Sequence, residues 1–286
     1  MAETLAHAWI KLTLYVAATG LGLEIAHRIY WRLLRDAAQA SLSNIVRLAV
    51  MAILPTIPLG VSIGITFIFC TYLDHCPIST LGLVWDRDSA AYLFAGIAIS
   101  MVCVLIIFAL GKTAKLLAPS RSSFWANPKE KLPCFCGCLM DFIVGSVFEE
   151  IVMRGYVLTV LFNAYGAPTA IIGSSIIFAL FHLIKHPKMP AIFTVNAFVF
   201  GVLAAHARLA TGALWLPIGL HLGWNVTMEP ILGLPCSGKN YENGLLTTKA
   251  KAPNWISGGL YSPDAGVLGT AGLLVAVAGL LIIIPR

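Results

Sequence analysis

The uncharged stretch AAYLFAGIAISMVCVLIIFALG, residues 90–111, decides the class of fold. It is longer than the roughly 20 apolar residues that a helix needs to cross a bilayer. The whole chain has the same character, because 58% of its 286 residues are hydrophobic and only 11% are charged. A soluble domain carries about 25% charged residues. The composition therefore excludes a water-soluble enzyme, a disordered regulator and a small disulfide-bonded scaffold, and it predicts a membrane protein with several spans.

Apolar runs bounded by charged residues, glycine or proline predict about eight transmembrane helices. These runs are residues 7–27, 48–72, 90–111, 139–161, 167–185, 190–210, 213–234 and 264–284. The first run is the weakest, because Lys11 and Glu24 interrupt it. The spans leave no room for a separate soluble domain. We therefore expect an all-α, polytopic fold in which residues 1–286 form a single integral membrane domain.

Basic residues cluster in alternate links between the predicted spans. The links after the first, third, fifth and seventh spans hold 14 of the 19 lysines and arginines, among them Arg28, Arg32, Arg35, Arg47 and Lys185. Positively charged links stay on the cytoplasmic side of a membrane. We therefore expect both termini to face outward. The net charge of +6 is then a topology signal, and no nucleic-acid partner is expected.

Ionisable side chains occur inside several predicted spans of the second half of the chain. A charged side chain in hydrocarbon costs about 2.5–3.5 kcal/mol, so each one indicates a function. The span that contains DFIVGSVFEEIVMRGYVLTVLF, residues 141–162, is the richest in such groups. The groups that matter most are Glu149, Glu150 and Arg154 there, His182 in the fifth span, and His221 and Asn225 in the seventh. The sequence therefore predicts that helices within residues 139–234 form a catalytic core.

Helix geometry predicts different roles for these groups. Glu150 and Arg154 are four residues apart with the acid first, which is the favourable order for an ion pair on a helix. Glu149 is rotated by about 100° from Glu150 and is left to face a polar cavity as a candidate general base. His221 and Asn225 are also four residues apart, so they project from one helix face. Two donors on one face could hold a developing oxyanion.

Three short motifs connect these residues to a known family. They are EEIVMR at residues 149–154, FALFH at 178–182 and HLGWN at 221–225. In the order E-E-x-x-x-R, F-x-x-x-H and H-x-x-x-N, each in a separate apolar span, they resemble the CAAX-protease and bacteriocin-processing (CPBP, or Abi) intramembrane endopeptidases. The relatives of that family include the type II CAAX prenyl proteases. The resemblance covers about residues 139–234, with weaker likeness through 275.

The resemblance implies eight helices around a conical, water-filled cavity within the membrane, and a glutamate-dependent peptidase mechanism. By position, Glu149 and His182 would activate a water, and His221 with Asn225 would form the oxyanion hole. Glu150 and Arg154 would support the site. The implied partners are the lipid bilayer and a membrane-associated protein or peptide substrate, lipidated and CAAX-like or not. The implied location is the inner membrane of a bacterium, with the active site toward the cytoplasm.

Two other functions remain open at this stage. A zinc-dependent protease could use Glu149, His182, His186 and His221, which are all residue types that bind zinc. H-E-x-x-H is absent, however, and Pro187 predicts a helix end at His186, so we expect no cofactor. A non-catalytic immunity or scaffold protein could bind a membrane partner through the same cavity. A proton-coupled transporter is disfavoured because the sequence shows no inverted repeat.

Overall fold

The structure, a computed structural model, describes residues 2–40, 42–185, 188–235, 244–251, 253–261 and 263–283. The described part of the chain is nearly all helical. Its α-helices are α1 (Ala2–Gln39), α2 (Asn44–Ile53), α3 (Thr56–Ile68), α4 (Ser89–Thr113), α5 (Pro128–Glu150), α6 (Leu158–Tyr165), α7 (Ala167–Lys185), α8 (Ala191–Thr211), α9 (Trp215–Val226), α10 (Asn254–Ser257) and α11 (Val267–Ile283). Two short strands, β1 (Leu117–Arg121) and β2 (Leu246–Ala250), complete it.

Three π-helical segments extend α-helices without a break in the helical path. Phe69–Leu73 continues α3, Ile151–Val157 joins α5 to α6, and Thr227–Ile231 continues α9. A π-helical turn accommodates an extra residue and shifts the phase of the side chains that follow it, and such turns are frequent at functional sites. The longest of the three begins directly after Glu150.

Five helices of the described chain are long and apolar enough to cross a membrane. They are His7–Ala37, Ile45–Leu73, Ser89–Thr113, Ala167–Lys185 and Ala191–Thr211. Many large apolar side chains lie on the outside, and Phe94, for example, is 66% exposed. Exposed apolar surface on this scale is typical of a protein that lies in lipid. The helices are those of an integral membrane protein.

The remaining predicted spans are helical in the structure but differ in charge or length. The fourth lies within the continuous helical path from Pro128 to Tyr165, which contains several ionisable side chains. The helix that begins at Trp215 reaches only Ile231, and α11 has 17 residues. Length and composition alone therefore support five spans and leave the predicted number of eight as a proposal.

The first helix is much longer than the predicted span of residues 7–27. It continues through Gln39, so Arg28, Arg32 and Arg35, which were expected in a link, lie in its C-terminal part. The two charges that weakened the sequence pattern are both paired. Lys11 Nζ lies 2.6 Å from Asp74 Oδ1, and Glu24 pairs with Arg28 at 2.7 Å. Because these partners neutralise the charges of Lys11 and Glu24, α1 can extend through an apolar environment in spite of them.

The all-α expectation needs one correction, because β1 and β2 form an antiparallel ribbon. Leu117 pairs with Ala250 and Arg121 pairs with Leu246. Ser122 Oγ also donates to the carbonyl of Gly244, at 2.6 Å. These five-residue strands lie in polar links and are too short to show a regular pattern in the sequence. The ribbon joins the link before α5 to the link after α9.

Helices α4 and α9 pack closely through glycines. A Cβ atom on Gly223 of α9 would lie 2.6 Å from the backbone oxygen of Ile97 in α4, which is closer than real Cβ contacts. Small residues let two membrane helices approach at backbone distance. Gly223 lies between His221 and Asn225 along the chain, so this contact fixes the helix that carries two candidate site residues.

We expect Gly223→Ala to destabilise the protein by about 1–3 kcal/mol, because the added methyl group overpacks the interface of α4 and α9. The displacement of α9 should also lower any activity that depends on His221. Thermal unfolding in detergent measures the first effect. Gly60→Ala in α3 is the matched control, since a Cβ there meets nothing within 4 Å. Equal midpoints for the two variants would contradict the packing argument.

Candidate active site

The two adjacent glutamates lie at the end of α5, where the helical path changes to its longest π-helical segment. Glu149 is 7% exposed and Glu150 is fully buried. Arg154, within the π-helical segment, is fully buried as well. Three buried charged side chains within six residues need partners, because an unpaired buried charge is very costly.

Glu150 has two partners through one oxygen. Arg154 Nη1 donates to Glu150 Oε1 at 3.1 Å, and Nδ1 of His221 lies 2.8 Å from the same oxygen. The guanidinium of Arg154 also stacks over the Phe178 ring, with its carbon 4.2 Å from the ring centroid. The ion pair predicted from the four-residue spacing is therefore present. The contacts of Arg154 with Phe178 and of Glu150 with His221 also hold α7 and α9 at the site.

Glu149 faces a different set of groups. Its Oε2 lies 3.6 Å from His182 Nε2 and 3.9 Å from His221 Nε2, and its Oε1 lies 3.8 Å from Lys185 Nζ. Among the described residues, Oε2 has no hydrogen-bond partner although it is buried. An ionised carboxylate accepts several hydrogen bonds. This oxygen therefore has unused capacity to accept a hydrogen bond.

The ring of His182 is held in one orientation by its own helix. Its Nδ1 lies 3.0 Å from the backbone oxygen of Phe178, one turn earlier in α7. A carbonyl oxygen can only accept, so Nδ1 carries the hydrogen. In the neutral ring Nε2 then has a free lone pair. That lone pair lies on the side of the ring near Glu149.

His221 and Asn225 lie one turn apart on α9. Because the Glu150 carboxylate accepts from His221 Nδ1, this nitrogen carries a hydrogen. The ring nitrogen Nε2 can then donate only when the ring is a cation. The side-chain amide of Asn225 directs one hydrogen toward Ser146 Oγ, at 3.4 Å. One histidine thus contacts both glutamates, which helix geometry alone did not predict.

These groups share a cavity of about 560 Å³. Glu149, His182, His221 and Asn225 line one part of it. Its other walls come from α1, from Pro55 and Pro58, and from the residues of α5 between Asp141 and Phe148. Ligand cavities in proteins measure about 300–1,000 Å³, so this volume is sufficient for a short peptide segment.

The structure brings all six predicted site residues into one neighbourhood. Glu149, His182, His221 and Asn225 line the cavity, while Glu150 and Arg154 lie behind it. Sequence reasoning missed Lys185, which it treated only as a topology signal, and Ser146. The three-residue spacing of His182 and Lys185 on one helix face was the available signal.

The zinc alternative can be compared with the same geometry. His186, one of its four candidate ligands, lies outside the described residues. Within the described ranges, no group of three or more His, Cys, Asp and Glu side chains is arranged to hold a metal ion. The expectation of no cofactor stays a prediction.

A comparison with protein families supports the motif analysis. Residues 131–227 match the model of a family described as type II CAAX prenyl endopeptidase Rce1-like. The matched segment is roughly a third of the chain and contains all three motifs. The resemblance predicted from the motifs is therefore confirmed over this segment, which is similar to a family of proteases. No curated protein and no solved structure matches the chain.

Proposed function

We propose that this chain is an intramembrane endopeptidase in which Glu149 activates a water for direct attack on a peptide carbonyl. The observation that carries the proposal is the buried Glu149 carboxylate. Its Oε2 has no hydrogen-bond partner among the described residues and lies 3.6 Å from His182 Nε2, in the wall of the cavity. A buried acceptor beside an oriented histidine is the arrangement that general-base catalysis needs.

We propose that a water binds between these two side chains when the Glu149 carboxylate turns toward the cavity, because Oε2 is itself buried in this structure. Placed to one side of the 3.6 Å line between Glu149 Oε2 and His182 Nε2, it can donate one hydrogen to each atom at ordinary hydrogen-bond distances. Its lone pair then points into the cavity, toward a bound peptide carbonyl. The Phe178 carbonyl contributes by fixing the tautomer of His182 that accepts from the water.

The opposite side of the carbonyl needs hydrogen-bond donors for the oxyanion. Asn225 supplies an amide N–H, and His221 supplies Nε2–H when its ring is protonated. Glu150 stabilises that imidazolium through the 2.8 Å contact to Nδ1. Donors placed where charge develops contribute most to such reactions, and losing one typically costs about 10²–10³ in rate.

The proposed reaction balances without a covalent enzyme intermediate. Glu149 takes one proton from the water, and the water oxygen forms a bond to the carbonyl carbon. Protonated Glu149 then delivers this proton to the amide nitrogen as the C–N bond breaks, which leaves a carboxylic acid and an amine. The carboxylic acid passes its remaining proton to His182 Nε2 and from there to the amine. The products are a carboxylate and an ammonium group, with Glu149 ionised and His182 neutral again.

The substrate we propose is a membrane-associated protein or peptide, CAAX-like in its cleavage region, with or without a lipid. We further propose that all eight predicted spans cross the bilayer, including the three helical regions whose charge or length sets them apart. The basic links would then lie on the cytoplasmic side of a bacterial inner membrane. The polar cavity would open toward the same side.

The test is cleavage of a quenched fluorescent peptide library by the purified, detergent-solubilised protein. Wild type is measured with and without o-phenanthroline. We expect cleavage that the chelator does not change, because a carboxylate base requires no metal. Cleavage that the chelator abolishes and zinc restores would instead support the zinc protease. Failure to cleave both the library and a membrane-embedded peptide in vesicles would favour the scaffold function.

A further inference from the structure

One face of α1 brings three arginines to the same cavity as the candidate catalytic groups. Arg28, Arg32 and Arg35, here called the basic face of α1, follow the spacing i, i+4, i+7, which places them along one side of a helix. All three line the cavity that also contains Glu149 and His182. The sequence pattern alone treated these arginines as parts of a link outside the site.

Most of this positive charge is not neutralised nearby. Arg28 pairs with Glu24, at 2.7 Å. Arg32 and Arg35 have no ion pair with any residue that the structure describes, although Asp141 lines the same cavity. The Asp141 carboxylate instead accepts from the Tyr30 hydroxyl, at 3.3 Å. Two exposed guanidinium groups therefore face the cavity with unused donors.

A role as markers of the cytoplasmic side does not explain why these arginines line the cavity. Arginines that only mark the cytoplasmic end of a helix can lie on any of its faces. Arg47 in α2 belongs to the same predicted basic link and does not line the cavity. The guanidinium group matches the two oxygens of a carboxylate with paired hydrogen bonds. The basic face is thus suited to a carboxylate on a molecule that occupies the cavity.

We propose, on the basis of the function proposed above, that Arg32 and Arg35 bind a carboxylate of the peptide substrate. The enzyme then selects peptides that carry an acidic group within a few residues of the cleaved bond. The carboxylate comes from the C-terminus of the peptide or from an acidic side chain. Arg32 and Arg35 determine specificity in this proposal and take no part in the bond-breaking step.

The experiment measures KM and kcat for three forms of one peptide that wild type cleaves. The first has a free C-terminus and an acidic residue beside the cleaved bond, the second has a C-terminal amide, and the third has Gln or Asn in place of the acidic residue. The proteins are wild type, the double variant Arg32→Gln/Arg35→Gln, and Arg47→Gln as the matched control. Folding is checked by thermal unfolding in the same detergent.

We expect the double variant to raise KM for the acidic peptide about tenfold or more, with kcat nearly unchanged, because a charge-assisted contact is lost. The form that has lost the recognised carboxylate should show the same high KM with wild type and with the double variant. That form identifies whether the C-terminus or the side chain is bound. Arg47→Gln should behave as wild type does.

A second variant tests the proposal in the opposite direction. Glu24→Gln removes the partner of Arg28 and should lower KM for the acidic peptide while leaving the neutral forms unchanged. An equal increase in KM for all three peptides in the double variant would overturn the proposal. So would an effect seen only in vesicles with phosphatidylglycerol and equal for all peptides, which would assign the arginines to lipid phosphate.

The result also separates this proposal from the proposed function. Equal KM values of wild type for all three peptides, with cleavage that still requires Glu149, would remove only the role of Arg32 and Arg35. Cleavage that persists without Glu149 would remove the catalytic proposal itself.

Discussion

Glu149→Gln is expected to lower kcat for peptide cleavage by at least about a thousandfold. General-base catalysis contributes about 10²–10⁴ in rate, and the glutamine amide has nearly the same shape as the carboxylate but cannot take the proton of water. The reaction loses the base while the cavity keeps its shape. Single-turnover cleavage of the preferred library peptide measures the effect. His182→Ala and Asn225→Ala should each lose about 10²–10³ in rate.

Asp141→Asn is the matched control for this prediction. It makes the same carboxylate-to-amide change on the same helix and in the same cavity, where the carboxylate accepts from the Tyr30 hydroxyl at 3.3 Å. Its kcat should stay within a few-fold of wild type. If Glu149→Gln kept more than a few per cent of wild-type activity with normal thermal unfolding, Glu149 would no longer be the base.

Arg154→Met should produce the largest loss of stability, about 3–5 kcal/mol. Removing one partner of a buried ion pair leaves the other charge buried and uncompensated. Glu150 and Arg154 are both fully buried and 3.1 Å apart, so water cannot replace the missing cation without rearrangement. The double variant Glu150→Gln/Arg154→Met should recover a large part of the loss. Unfolding by denaturant in mixed micelles, analysed as a double-mutant cycle, measures the coupling.

The pair of Glu24 and Arg28 provides an internal control for this experiment. It has the same four-residue spacing and a shorter distance, 2.7 Å, but its side chains are 58% and 79% exposed. Exposed helix pairs contribute only about 0.3–0.5 kcal/mol, so Arg28→Met should change stability very little. Similar losses of unfolding free energy for Arg28→Met and Arg154→Met would show that burial does not increase the contribution of the Glu150–Arg154 pair.

Sequence reasoning predicted contacts that depend on local helix geometry. The pairing of Glu150 with Arg154 follows from spacing alone, and the shared face of His221 and Asn225 follows in the same way. The three motifs also predicted the family resemblance. The relation of Glu149 to Glu150 was predicted only in part, because the 100° rotation did not show that one histidine ring lies between the two carboxylates.

Contacts between distant parts of the chain could not be predicted. The bond between Glu150 and His221 joins residues 71 positions apart, and the packing of α9 against α4, α5 and α8 decides where His221 lies. The length of α1 could not be predicted, because Lys11 and the arginines of α1 interrupt the hydropathy pattern. That pattern cannot show that Asp74 pairs with Lys11. The β ribbon was missed since its strands are short and polar.

The ribbon between β1 and β2 joins the two ends of the part of the chain that carries the candidate site. The segment between the two strands contains every residue of the candidate site, so the ribbon closes that segment into a loop with joined ends. The two ends of this segment cannot separate without breaking the pairing. The cavity walls outside the loop are α1 and the turn at Pro55 and Pro58. The ribbon therefore fixes the ends of the catalytic segment and leaves the N-terminal walls of the cavity free of this constraint.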